Sequence, residues 1–257
     1  MKKRIKIVIS LFLIMSLCTT MCYARVGGGG SSGGGSSSGG SSSSSSSSSG
    51  SHSHAQSNSN SNPIVTIFQY IMFSIVAGFS AIVFRFRLKK AKRNSKKLMD
   101  LLDDKDAMWK YKKIQKQVET AYYKIQKAWG DQDMTQAKDW IEEEYYQTLQ
   151  TKIEWMKIRN QKNVLKKISL LEAIPVSVQD DPDNTKDCVW YYIRGSMIDY
   201  TIDTTTNLIV EGKNAKTIFV EYWKFVRDEE AARWKLAQIL QADEKDKIVF
   251  QEEIPKK

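Results

Sequence analysis

Histidine and cysteine are scarce in this chain, and the few present are badly placed for chemistry. Of three cysteines, Cys18 and Cys22 lie in an apolar N-terminal run, which leaves Cys188 alone in the rest. A disulfide framework within one chain is excluded, as is a cysteine-rich zinc site. The two histidines, His52 and His54, sit in a Ser/Asn-rich tract. The part able to fold therefore has no histidine for a Ser-His-Asp or Cys-His arrangement. Two ligands make a poor metal site, so neither metal nor cofactor is expected.

Acidic residues are missing from residues 1–97 altogether. The basic residues there form two clusters: Lys2, Lys3, Arg4, Lys6 and Arg25, then Arg85, Arg87, Lys89, Lys90, Lys92, Arg93, Lys96 and Lys97. Taking those 13 from 39 Lys and Arg leaves 26 against 29 acids in residues 98–257, so a whole-chain charge of +10 conceals a net −3 there. A nucleic-acid binder carries its positive charge on the folded domain. Here the charge flanks hydrophobic segments, which points to membrane topology and away from nucleic acid.

Residues 1–24 read as a secretory signal: a basic start, an apolar stretch from Ile7 to Leu17, and Cys22-Tyr23-Ala24 before the cleavage point. An uncleaved anchor is the alternative. Residues 25–63 are Gly, Ser and Asn with little else, unable to bury enough apolar surface to offset ordering entropy, and are expected to be disordered. Residues 64–84 carry no charge, and at 1.5 Å per residue they give about 30 Å of helix, the depth of a hydrocarbon core. The basic run that opens a juxtamembrane segment at 85–104 then keeps the carboxyl side in the cytoplasm. The expected location is a bacterial plasma membrane, crossed once after signal cleavage. Arg85, Arg87, Lys89, Lys90, Lys92 and Arg93 are also candidate contacts for anionic lipid headgroups.

Residues 105–242 are expected to form one folded domain, followed by a charged tail at 243–257. Tyr111, Ile114, Val118, Ala121, Tyr122, Ile125, Ala128 and Trp129 recur at three- and four-residue spacing and predict a helix capped by Gly130. Asp133 with Gln136 then starts a second helix carrying Ala137, Trp140, Ile141, Tyr145, Leu149, Ile153 and Met156.

After Asn163 the pattern turns β-branched and aromatic in four stretches separated by turn-like clusters at 180–184, 203–207 and 228–230. Short connections favour an antiparallel meander, and Pro175 argues for a bulge or an edge in the first strand. Helices first and strands afterwards predict an α+β fold, two helices on a curved antiparallel sheet of about four strands. In the third strand Phe219, Glu221, Trp223, Phe225 and Arg227 share one face, and Ile218, Val220, Tyr222 and Val226 the other. Both faces are largely apolar, so one packs on the helices while the other meets a partner or lines a cavity.

The string KAWGDQDMTQAKDWIEEEYY, followed by EYWKFVRDEEAARWKLAQIL, resembles the Tim44-like domain family over roughly residues 105–242. The most specific elements are Ala128-Trp129 with Asp131 and Asp133, the strand from Glu221 through Trp223 and Phe225 to Arg227, and Trp234, Leu236 and Ile239. The resemblance implies a cone-like fold similar to nuclear transport factor 2, with a large apolar pocket. The family includes a peripheral subunit of the mitochondrial import motor; where that subunit has a long chaperone-binding N-terminal region, this sequence is expected to have a signal, a Ser/Gly tract and a spanning helix.

The expected function is non-enzymatic: a membrane-anchored, cytoplasm-facing binding or scaffold domain, serving membrane-protein biogenesis or association with lipid and protein. Its partners would be anionic lipid and a membrane or nascent protein. The binding candidates are Trp190, Tyr192, Trp223 and Phe225, taken as one sheet face; the competing reading makes them ordinary core, since large aromatics dominate cores. Two other readings stay open. One is a pocket enzyme using a buried carboxylate of raised pKa, with Glu221, Asp199, Asp203 or the run Glu142–Glu144 as candidates. The other is a surface sensor using the outer Ser/Gly tract.

Overall fold

The computed structural model describes residues 63–180, 186–228 and 232–253. The expected signal peptide, the Ser/Gly tract and both histidines lie outside the described residues, as do most of the turn clusters at 180–184 and 228–230. The chain divides into two compact units, with a boundary between Phe86 and Arg87.

The first helix, α1, runs without a break over Pro63–Asp103. Among the described residues no helix is long and apolar enough to cross a membrane. Most side chains between 63 and 80 lie outside the description, and the expected span at 64–84 falls largely among them. From Arg87 onward α1 belongs to the folded unit. Leu88, Ala91, Ser95, Met99 and Leu102 are buried at three- and four-residue spacing, while Lys89, Lys90, Lys92, Arg93, Lys96 and Lys97 are exposed. The segment expected to be a basic collar outside the domain is an amphipathic helix whose Met99 and Leu102 enter the core.

A short 3₁₀ turn at Ala107–Trp109, capped by the Asp106 carboxylate on the Met108 N–H, leads into α2, Tyr111–Asp131. Its buried face holds the expected residues except Tyr111, which is half-buried, and adds Gln126. The helix does not stop at Gly130. Gln132 takes the left-handed position instead, at φ 55°, and its side-chain amide donates to the Gln161 carbonyl at 2.9 Å. That tertiary bond holds a conformation that glycine would adopt at less cost.

The second expected helix is two elements. Asp133 accepts from the Thr135 N–H and from the Gln136 side chain, as its position suggests, but what it caps is a 3₁₀ helix, Met134–Trp140. Ile141 is then extended, bridges to Leu236, and is followed by an N–H donation from Glu142 to the Leu236 carbonyl. Helix α3, Glu143–Ile158, starts afresh with the Glu142 carboxylate accepting from the Glu144 and Tyr145 N–H groups. Pairing of Ile141 with the fourth strand overrides a helical period that the sequence carries through without interruption.

The sheet has strands β1 Gln161–Gln179, β2 Lys186–Asp203, β3 Ile209–Asp228 and β4 Lys235–Gln241, antiparallel in the order β1-β2-β3-β4. This is the expected meander. The β1–β2 register slips at 166/169, at 170/172 and beside Pro175, the expected bulge on an edge strand. Close packing of α2 on the sheet demands glycine at 195: a Cβ there would collide with the Phe219 ring and meet the Tyr122 hydroxyl at 2.5 Å.

Candidate functional site

Register decides which aromatics share a surface. Tyr191 pairs with Trp223 and Val189 with Phe225, whereas Trp190 pairs with Lys224 and Tyr192 with Tyr222. Directly opposed residues of an antiparallel pair project to the same side. The four binding candidates therefore do not form one face. Trp223 and Phe225 are on the inner face, fully buried in the helix-covered core with Tyr191, Ile193 and Met197. Trp190 and Tyr192 are on the outer face with Tyr222. The expectation of a common face fails because each strand alternates strictly, and β2 is opposed to β3 with odd numbers facing odd and even facing even.

The inner face is filled by side chains. The rings of Tyr122 and Trp223 lie 5.5 Å apart, Trp223 and Phe225 6.2 Å, and Tyr191 and Phe225 6.0 Å. Trp223 and Phe225 are thus ordinary core residues. Among the described residues, open grooves lie elsewhere. One, of about 450 Å³, is lined by Glu142, Glu144, Tyr145, Thr148, Lys186 and Lys224 among others. The second, of about 370 Å³, lies between α2 and β1 beside Gln126 and Leu165. Neither is lined by the four aromatic candidates.

The carboxylates singled out for acid–base chemistry occupy distinct environments. Glu221 is fully buried, accepts from the Trp223 indole N–H at 3.0 Å and lies 3.5 Å from the Gln241 side-chain amide. Burial, and secondarily the Glu221 charge, push the Tyr145 hydroxyl pKa far up. Asp199 is buried and accepts from Asn163, whose carbonyl oxygen in turn accepts from the Trp129 indole. Asp203 closes the β2–β3 turn, where the Thr206 and Thr205 N–H groups hold its pKa below the usual range. Glu142 is the α3 cap and pairs with Lys186 at 3.1 Å. Burial raises its pKa, but the Lys186 bond and the cap bonds more than offset this and lower it overall. Glu143 and Glu144 are exposed in the first turn of α3. Glu142 and Glu144 share the 450 Å³ groove, where Glu142 is held by Lys186 and the cap bonds, whereas Glu221, Asp199 and Asp203 line neither groove.

A buried charged centre lies apart from all these candidates. Arg227 on β3 ion-pairs with Asp187 on β2 and Asp106 after α1, and its guanidinium lies 5.4 Å from the Trp234 ring and 5.9 Å from Trp109. Only 1% of the Arg227 side chain is exposed. The signal was present as an Asp187–Arg227 pairing across a hairpin, but it needs the register to be seen.

The outer face carries the second feature missing from the sequence reading. The residues expected to be a charged tail form a 3₁₀ helix at Ala242–Lys247 and then a segment that docks. Ile248 is buried, and the Phe250 ring lies 6.0 Å from Tyr222 and 5.8 Å from the Arg87 guanidinium. Arg87 also donates to Glu252 at 2.9 Å and 3.1 Å. Of the six lipid candidates, all are exposed, and Arg87 is engaged by this tail.

The model of the Tim44-like domain family matches residues 97–241, more than half of the chain. No curated protein matches. Thirty-one solved chains do. Among them is the crystal structure of the intermembrane space region of the chloroplast protein ARC6, 16% identical, covering 49% of this chain and 95% of that one with a TM-score of 0.36. A likeness that low carries no argument of its own. The family model supports what the residues at 128–133 and 221–239 suggested: the chain belongs to the Tim44-like domain family.

Proposed function

We propose that this chain is a membrane-anchored, non-enzymatic binding or scaffold protein, with its Tim44-like domain on the cytoplasmic side of a bacterial plasma membrane. The observation that carries this reading is the helix Pro63–Asp103. One unbroken element includes both the charge-free run 64–84 and residues buried in the domain, Leu88 to Leu102. The anchor itself is read from the sequence, where 64–84 are long and apolar enough to span. Tim44-like domains associate with membranes and proteins, which favours a role in membrane-protein biogenesis or in protein and lipid association. The exposed Arg85, Lys89, Lys90, Lys92 and Arg93 suit an anionic headgroup layer, each contributing about 1 kcal/mol near the surface.

Crosslinking in intact cells with mass-spectrometric identification tests the proposal. The reading expects components of the membrane-insertion or secretion machinery, or nascent membrane proteins. Recovery of a tightly held small molecule with no protein partner would argue against a scaffold.

A further inference from the structure

The C-terminal segment is held in a way that resembles the recognition of a ligand more than the packing of a core. Asn94, only 7% exposed, donates its side-chain amide to the main-chain carbonyls of Gln251 at 3.1 Å and Glu252 at 2.7 Å. The Gln251 N–H donates to the Val176 carbonyl at 2.7 Å, beside the bulge at Pro175. These three bonds read backbone atoms of a segment that turns tightly at Gln251, where the Glu252 N–H donates to the Phe250 carbonyl at 2.8 Å. Three further contacts involve side chains, one being the Gln251 amide oxygen, which accepts from the Val178 N–H at 3.4 Å. Phe250 sits between Tyr222 and Arg87, and Arg87 meets Glu252 through two nitrogens. Arg87, Ala91 and Asn94 recur along α1 at intervals of four and three, so one stripe of the helix forms the wall. Small Ala91, 1% exposed, sits on that wall between the charge and the amide.

Main-chain hydrogen bonds supplying affinity and spaced side-chain contacts supplying selectivity are the terms on which peptide segments are bound. We propose that the cleft formed by Arg87, Ala91 and Asn94 of α1 with Val176 and Tyr222 of the sheet is a peptide-docking groove. Its ligand is a peptide segment bearing an aromatic residue followed two positions later by a carboxylate, with a tight turn between them as in the tail. Residues 248–253 are its resting occupant. The inference gives a partner class to the binding domain proposed above and rests on that reading. Direct binding by purified protein tests the groove, whereas crosslinking in cells tests the reading, so either can fail alone.

The tail competes at an effective concentration of order mM, which keeps a free peptide out until the tail is weakened. The test is fluorescence anisotropy with a labelled peptide of residues 246–253 and the full chain in detergent. Glu252→Lys disables the tail through a half-exposed side chain and leaves the core intact. The E252K chain should bind the wild-type peptide at least ~10-fold more tightly than the wild-type chain does. Adding Arg87→Glu should abolish that gain, because the swapped charges pair the tail with the groove again. A gain equal for a scrambled peptide, or no gain in E252K with its thermal unfolding unchanged, would overturn the proposal.

Discussion

Arg227 and Asp187 are direct cross-strand partners, and their ion pair is sealed inside the domain with 1% and 9% of the side chains exposed. Two indole rings flank the guanidinium, and Asp106 reaches it from the end of α1. A buried pair contributes little against a well-packed apolar replacement, but losing one partner strands a charge. Arg227→Leu should therefore cost about 3–5 kcal/mol in urea unfolding. The double change Arg227→Leu with Asp187→Leu should recover much of that loss. Equal losses in single and double variants would show that packing, not charge, accounts for the cost.

Acid should weaken the same centre through Asp106. Burial raises its pKa, but the cap bond from Met108 and the Arg227 charge prevail, and the folded value is lowered. A carboxylate with a depressed folded pKa contributes stability above its unfolded value, about 3.9, and loses it as pH falls through the folded one. Chemical denaturation between about pH 5 and pH 2 should thus show a falling stability whose slope is reduced in Asp106→Asn. An unchanged slope would assign the acid sensitivity to other groups.

The two sheet faces should respond unequally to truncation. Trp223→Ala opens a cavity in a fully buried core and should cost about 3–5 kcal/mol. Trp190, half-buried on the outer face, should cost markedly less. Comparable losses in thermal unfolding would mean that the outer face is also closed core.

Gly195 tests the closeness of α2 and the sheet. Gly195→Val must push against Phe219 and Tyr122, so overpacking should cost roughly 1–3 kcal/mol. Phe219→Ala in the same chain should relieve part of that loss, measured as a double-mutant cycle.

Much of the architecture was legible because it is written locally. Alternation and turn residues give four strands in sequence order, and Pro175 marks the bulge. What was hidden depends on distant residues. Eight basic side chains between 85 and 97 mask the Leu88, Ala91, Ser95, Met99 stripe that makes α1 part of the domain. The split at Ile141 needs Leu236, and the left-handed Gln132 needs the Gln161 carbonyl. Residue type alone does not sort the four aromatic candidates, and the β2–β3 register separates Trp190 and Tyr192 from Trp223 and Phe225. The tail at 248–253 looked solvated because its partners Asn94 and Val176 lie far back in the chain.

The exposed basic residues of α1 predict salt-sensitive lipid binding. A fragment lacking 1–84 should float with anionic vesicles at low salt and lose them as the screening length shrinks below about 8 Å. Replacing Lys89, Lys90, Lys92 and Arg93 by glutamine should abolish flotation. Salt-independent flotation would exclude an electrostatic headgroup contact.

A membrane-held domain facing the cytoplasm is the centre of the account, and one measurement bears on it most directly. Spheroplasts expressing the full chain are treated with protease, and the membranes are then extracted with alkaline carbonate. The account predicts that the protein stays with the membrane and that residues 98–257 survive intact until the spheroplasts are lysed. Release into the carbonate supernatant, or cleavage of that domain in unbroken spheroplasts, would contradict it.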